Sequence, residues 1–303
     1  LEWYLPCPGA VVAELTELPD NPLCVPIGVT TYAGDIDLGG GDRASIEKLR
    51  TLNEGVLESV YPLKTAQEPK RVETFSCDEG CVIAPAVKVA HPRALIPVFP
   101  GTNCEYDTAR ALKEAGAEAE IFVIRNLTPD DVARSVERFA AAVKTAQMVV
   151  IPGGFSGGDE PDGSAKFITA FFRSQAVREQ VSSLLDERDG LMLGICTVFQ
   201  ALIKLGLVPY GKFIETDVNC PTLTYNIIGR HQSKLVRTRV SSNKSPWLAR
   251  TKVGQVYTVP ISHGEGRFLA DEELIRSLAA NGQIATQYVD QEGHPTMETE
   301  YNP

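Results

Sequence analysis

The sequence predicts an α/β protein: an open, mostly parallel sheet flanked by helices, preceded by a less regular N-terminal segment. Three observations carry that prediction. From Arg93 onward, short β-branched or apolar runs alternate with amphipathic segments, the pattern of successive βαβ units. Turn-forming glycines follow several of those runs directly, at Gly101, at Gly153-Gly154 and at Gly194. Ahead of Arg93, from Lys64 to His91, no period of either 2 or 3.6 is sustained.

The first 90 residues give few elements. Cys24 to Tyr32 is β-branched and reads as a strand running into the turn at Gly39-Gly40-Gly41-Asp42. No Lys-Ser/Thr follows those glycines, so they are not a phosphate loop. Ser45 starts a short helix through Leu49, Leu52, Val56, Leu57 and Val60, broken by Pro62. Lys64 to His91 is polar and proline-marked and reads as a linker. Within it, Cys77 and Cys81 form a lone C-x3-C, which without a second pair reads as a mobile loop rather than a zinc site.

The remaining elements follow in order. Ala94–Phe99 is a strand, and the helix after Asn103 carries Tyr106, Ala109 and Leu112 on one face before Gly116 stops it. Ala119–Ile124 is the second strand. Thr128 is an N-cap, Pro129 occupies the first helical position, and Asp130 and Asp131 complement the dipole. Val132, Val136, Phe139 and Val143, spaced 4, 3 and 4, give that helix its apolar face. Met148–Ile151 is the third strand, and a helix lies within 167–185. The fourth strand starts at Leu191 and turns at Gly194-Ile195-Cys196 into a helix marked by Val198, Phe199, Ala201, Leu202 and Leu205, with Gly206 as its stop. Leu235–Val240 and Gln255–Pro260 are strands of an antiparallel portion.

In parallel sheets ligands bind beyond the carboxyl ends of the strands. Three such loops carry chemistry-bearing residues: Pro100–Asn103, Pro152–Asp159 and the Cys196 turn. A strand turning sharply into a helix exposes the turn residue, the geometry of a nucleophile elbow, here with cysteine. The helix behind it aims N–H groups and its positive dipole end at the sulfur, the surroundings an attacking thiolate needs. The alternative for Cys196 alone is a small apolar core residue. Four glycines in the six residues Gly153–Gly158 let backbone N–H groups approach a ligand, as an oxyanion hole requires. His263 and Glu265 stand in Ile261-Ser262-His263-Gly264-Glu265-Gly266-Arg267-Phe268. In an extended run they share a face, so the carboxylate can orient the imidazole.

Composition bounds the partners. A chain of 303 residues accommodates about two domains, and 43% hydrophobic with 22% charged residues describes an ordinary globular protein. A net charge of −10 without a basic cluster argues against nucleic acid. No apolar run is long enough to cross a membrane, and seven dispersed cysteines suit a cytoplasmic location.

Together, Gly194-Ile195-Cys196, Pro152–Asp159 and His263-Gly264-Glu265 resemble the class I (triad) glutamine amidotransferases. The closest likeness is to the glutaminase domain of phosphoribosylformylglycinamidine synthases, which also matches Val98–Asp107, Pro221–Asn226 and the tail Glu300-Tyr301-Asn302-Pro303. The resemblance covers about residues 91–303. It implies a catalytic triad of Cys196, His263 and Glu265, with Gly154 and Thr197 supplying the oxyanion hole. Gly153, Phe155, Gln200, Tyr225 and Asn226 would contact L-glutamine. It further implies residues 1–63 as the C-terminal remnant of a single-chain synthetase part, 64–91 as a linker and 92–303 as the glutaminase. The partner is then the synthetase domain with formylglycinamide ribonucleotide. ATP and magnesium belong to that part, and no cofactor or metal is implied in this chain. The family usually carries Asn-Gly after the nucleophile, whereas this chain has Thr197-Val198. A β-branched residue in a strained elbow would cost rate, which keeps two other readings open: a catalytically impaired module with a structural or interaction role, or another cysteine hydrolase on the same fold.

Overall fold

The computed structural model describes residues 9–62, 72–80, 85, 87–154 and 165–303. The chain divides into two compact units, Leu1–Leu63 and Lys64–Pro303. In the first, β1 (Asp35–Gly39) and β2 (Asp42–Ser45) form an antiparallel hairpin around the three glycines. Helix α1 (Ile46–Gly55) follows, with the Ser45 hydroxyl accepting from the Lys48 N–H as its cap. The strand expected over Cys24–Tyr32 does not form. Those residues are irregular and almost all exposed, because no second layer buries their β-branched side chains. The helix from Ser45 is also shorter than expected, ending at Gly55 rather than near Val60.

The second unit is built on a four-stranded parallel sheet. Its strands are β3 (Arg93–Val98), β4 (Glu118–Val123), β5 (Met148–Ile151) and β6 (Leu191–Gly194), in the spatial order β4-β3-β5-β6. The crossovers are α2 (Glu105–Glu114), α3 (Pro129–Val143), and the pair α4 (Lys166–Arg173) and α5 (Gln175–Ser182). After β6 come α6 (Thr197–Leu205) and the short turn α7 (Leu207–Tyr210). The α3 signals act as the sequence suggests: the Thr128 hydroxyl caps Asp131 N–H, and Phe139 and Val143 are fully buried. The α3 C-terminus is closed by a distant side chain, since the Arg188 guanidinium donates to the carbonyls of Val143, Lys144 and Ala146 at 2.9–3.0 Å. The single helix expected in 167–185 is two helices, because Ser174 is extended between them. Tyr106, expected on the buried face of α2, is 76% exposed, and only Ala109 of that helix is buried.

The core between sheet and helices is aromatic. Phe99, Phe122, Phe139, Phe171 and Phe172 stack mainly edge-to-face, with ring centroids 5.3–6.1 Å apart. Residues after α7 form β7 (Thr222–Thr224), β8 (Gln232–Val240), β9 (Val256–His263), β10 (Arg267–Leu269), α8 (Glu272–Ala280) and β11 (Thr286–Val289). These strands pair antiparallel, β11-β8-β9 in one sheet and β10-β7 in another.

The segment read as a linker is extended over 72–80 and bonded to this antiparallel portion. Phe75 N–H donates to Gln287 Oε1, Gln287 Nε2 to Glu73 O, and Arg239 to Phe75 O and Ser76 Oγ. Cys77 pairs its backbone with Ser241 and Ser242. Cys81 lies outside the described residues. Among the described residues no cluster of His, Cys, Asp and Glu could hold a metal, and no helix is long and apolar enough to cross a membrane.

Candidate active site

The site is assembled from the β6–α6 junction, the β5 C-terminus and the turn after β9. Gly194 ends β6, and a Cβ there would fall 2.8 Å from Val198 Cγ1 and 2.7 Å from Leu202, so helix and strand touch through a glycine. Cys196 then adopts φ 56°, ψ −119°, well away from ordinary backbone for a residue with a side chain. What holds it there is α6, seven of whose nine residues are buried. Thr197 and Val198 are 2% and 0% exposed. Val198 has no positive φ and lies in the first turn of α6. The elbow strain thus falls on Cys196 alone, and a β-branched residue at 198 meets no forbidden backbone.

Gly153 and Gly154 stand directly behind the sulfur-bearing residue. A Cβ on Gly153 would lie 2.9 Å from Cys196 Cβ, and one on Gly154, where φ is 132°, would lie 2.3 Å from Gly101 O. Only glycine fits at either position. Asn103 N–H donates to Gly153 O at 2.9 Å, and the Thr197 hydroxyl donates to Gly154 O. Three strand-end loops are therefore tied together. Phe155 and the rest of the glycine-rich loop through Ser164 lie outside the described residues.

Cys196, Thr197, Gln200, His263, Glu265 and Tyr288 share a cavity of about 820 Å³. β9 ends at His263 and the chain bends at Gly264, so the extended run expected through Glu265 is broken. Glu265 is buried, and Gln200 Nε2 donates to its backbone oxygen at 3.1 Å and to its Oε2 at 3.4 Å. The imidazole lies against Gly266, where a Cβ would come within 2.3 Å of His263 Cε1. At Nδ1, 2.9 Å away, is Asn226 Oδ1, and near Nε2, 3.4 Å away, is the Tyr288 hydroxyl. Burial raises the Tyr288 pKa, so this phenol keeps its proton at neutral pH.

Several expected substrate contacts look different in place. Asn226 is 3% exposed, and both ends of its amide are used inside the protein. Its side-chain amide is thus engaged with His263, Arg230 and Gly266. Tyr225 is half exposed and is not among the residues around the cavity. Gln200 is buried at the cavity, and its Oε1 has no partner among the described residues. Tyr288 was not singled out in the sequence, because a tyrosine in a short strand carries no local mark of a site. The approach of Asn226 to His263 was equally hidden by 37 residues of separation.

Residues 91–303 match the family described as CobB/CobQ-like glutamine amidotransferase domains. The chain is 35% identical over 204 residues to phosphoribosylformylglycinamidine synthase subunit PurQ of Symbiobacterium thermophilum, covering 66% of this chain and 73% of that protein. It is 32% identical over 207 residues to the same subunit of Aquifex aeolicus, covering 68% and 77%. Among solved structures, a chain in the structure of PurLQS from Thermotoga maritima is similar at 22% identity and a TM-score of 0.48, covering 70% of this chain and 84% of that one.

Proposed function

From the premise that the chain belongs to the CobB/CobQ-like glutamine amidotransferase family, we propose that it is the glutaminase of a phosphoribosylformylglycinamidine synthase, with Cys196 as nucleophile. One observation carries the assignment of residues. A cysteine forced to positive φ at a strand–helix junction shares a cavity with the histidine that ends β9.

The Cys196 sulfur attacks the side-chain amide carbon of L-glutamine while His263 accepts its proton through Nε2. The C=O π bond opens and its electrons move to oxygen. The Thr197 N–H, at the first position of α6 and so without an acceptor in its own helix, faces that oxyanion. Gly154 N–H is the second donor. The Gly153 carbonyl is turned to Asn103 on the β3 side, so the trans peptide points its N–H the opposite way, toward β6 and Cys196. Collapse breaks the C–N bond, and His263 delivers its proton to the departing nitrogen, which leaves as ammonia. Water activated by the same imidazole then hydrolyses the thioester to glutamate. Glu265 supplies negative charge that stabilises the imidazolium. Gln200 holds Glu265 at the edge of the cavity, and Gly153 keeps the space beside the sulfur open.

Ammonia passes in this reading to a synthetase part that amidinates formylglycinamide ribonucleotide with ATP and magnesium, and no such site is assigned here. The unit Leu1–Leu63 lies ahead of the family match and is read as the end of that part in a single-chain arrangement, with 92–303 as the glutaminase, in the cytoplasm.

The test is labelling by a glutamine-shaped electrophile, mapped by peptide mass spectrometry with and without excess glutamine. Modification of Cys196 that glutamine suppresses and Cys196→Ala abolishes is the expected result. A folded chain left unlabelled at Cys196 would sink the proposal.

A further inference from the structure

The surroundings of His263 assign a role to Asn226 that goes one step deeper into the glutaminase reading and rests on it. We infer that Asn226 is a positioning residue that fixes the tautomer of the catalytic imidazole, with the proton on Nδ1 and the lone pair of Nε2 available to Cys196.

The inference follows from neighbours that each have only one polarity. An amide side chain can be placed either way round, and its hydrogen bonds decide which. Asn226 Nδ2 donates to two carbonyls, His263 O at 2.9 Å and Arg230 O at 3.1 Å, and carbonyls only accept. Gly266 N–H approaches Asn226 Oδ1 at 3.1 Å, and an amide N–H only donates. Both contacts fix the same orientation. The atom 2.9 Å from His263 Nδ1 is therefore an oxygen that can only accept, and Nδ1 must carry the hydrogen.

The amide is held rigidly enough for this task. Asn226 is buried, and its own N–H donates to Gly264 O at 2.9 Å, so its backbone is pinned to the bend that carries His263. Gly266 leaves the imidazole only a flat slot, since any side chain there would meet the ring. The Tyr288 hydroxyl stands near Nε2, a protonated phenol facing a ring nitrogen with a lone pair. Its oxygen can in turn accept from Nε2–H once the ring has taken the thiol proton. Asn226 and Glu265 thus act differently, the amide setting which nitrogen reacts and the carboxylate balancing the charge that follows. A neutral amide in the third position also serves cysteine hydrolases of Cys-His-Asn type.

The experiment uses the full 303-residue chain with ring-15N histidine, and His263 is assigned by comparison with His263→Asn. In the parent, His263 is expected to show a pyrrole-type Nδ1 and a pyridine-type Nε2. In Asn226→Ala the two nitrogens are expected to average, and kcat to fall about 10²-fold or more, with KM changed less than about threefold. Asn226→Asp keeps an oxygen at Nδ1 and is expected to retain the tautomer and part of kcat. A parent spectrum with the proton on Nε2 overturns the inference, and that reading needs no folded variant. So does an Asn226→Ala spectrum equal to the parent's. Failure of the glutaminase reading is distinguishable: the tautomer would then be as stated while Cys196 stays unlabelled.

Discussion

Two strand-to-helix junctions in the parallel sheet carry a cysteine at positive φ immediately before the helix, and the two turns are held in different ways. Cys104 precedes α2 with φ 67°, ψ 19°, ordinary left-handed backbone. Cys196 precedes α6 with φ 56°, ψ −119°, a far less populated region. Helix α2 buries only Ala109 and carries Glu105 and Asp107 in its first turn. Helix α6 buries seven residues and has no acid in its first turn. The difference teaches that a cysteine at a helix N-terminus means little by itself. What matters is whether the helix behind it is anchored well enough to hold a strained turn.

The comparison can be broken most directly at the two sulfurs. Cys196→Ala is expected to lower glutamine hydrolysis by more than about 10³-fold, while Cys104→Ala stays within about twofold, by steady-state glutamate release. Equal losses would erase the distinction. Gly153→Ala forces a methyl against Cys196 Cβ and should cut kcat about 10²-fold by displacing the elbow, with the Cys104 junction untouched. Gly154→Ala acts on the link between the junctions, since its Cβ meets Gly101 O and Thr102 backbone. It should destabilise the fold by about 1–3 kcal/mol in urea denaturation. The smallest effect has the opposite sign. Cys196→Gly should stabilise the inactive protein by about 1 kcal/mol through relief of its backbone, and Cys104→Gly by about half as much. Equal gains at both would mean that the elbow stores no extra strain.

How much of this was legible in the sequence depends on the range of each interaction. Helix α3, β5 and the β6–α6 junction were readable because cap, period and stop lie within a few residues of one another. The parallel sheet followed from their alternation. The irregular Cys24–Tyr32 run was misread because β-branched residues make a strand only where a second layer covers them. At the site, Cys196, His263 and Glu265 could be proposed from local patterns and from the family resemblance. The geometry joining them could not. Gly264 bends the chain between His263 and Glu265, a turn that the i and i+2 spacing does not announce. Asn226 and Tyr288 reach the imidazole from strands or turns tens of residues away. Val198 lies inside the first turn of α6 without a positive φ, so its backbone asks nothing of glycine.

The strap over residues 72–80 bears on where this protein can be cut. The family match starts at residue 91, and a trimmed version beginning there would look complete by homology. It would leave Gln287 and Arg239 without their partners at Glu73, Phe75 and Ser76, and Asn243 without Asp78. The groove beside Gly282, where a Cβ would come within 2.6 Å of Cys77 Sγ, would lose the side chain that fills it. Anyone shortening the chain to study catalysis alone would do better to keep the residues from 72 onward.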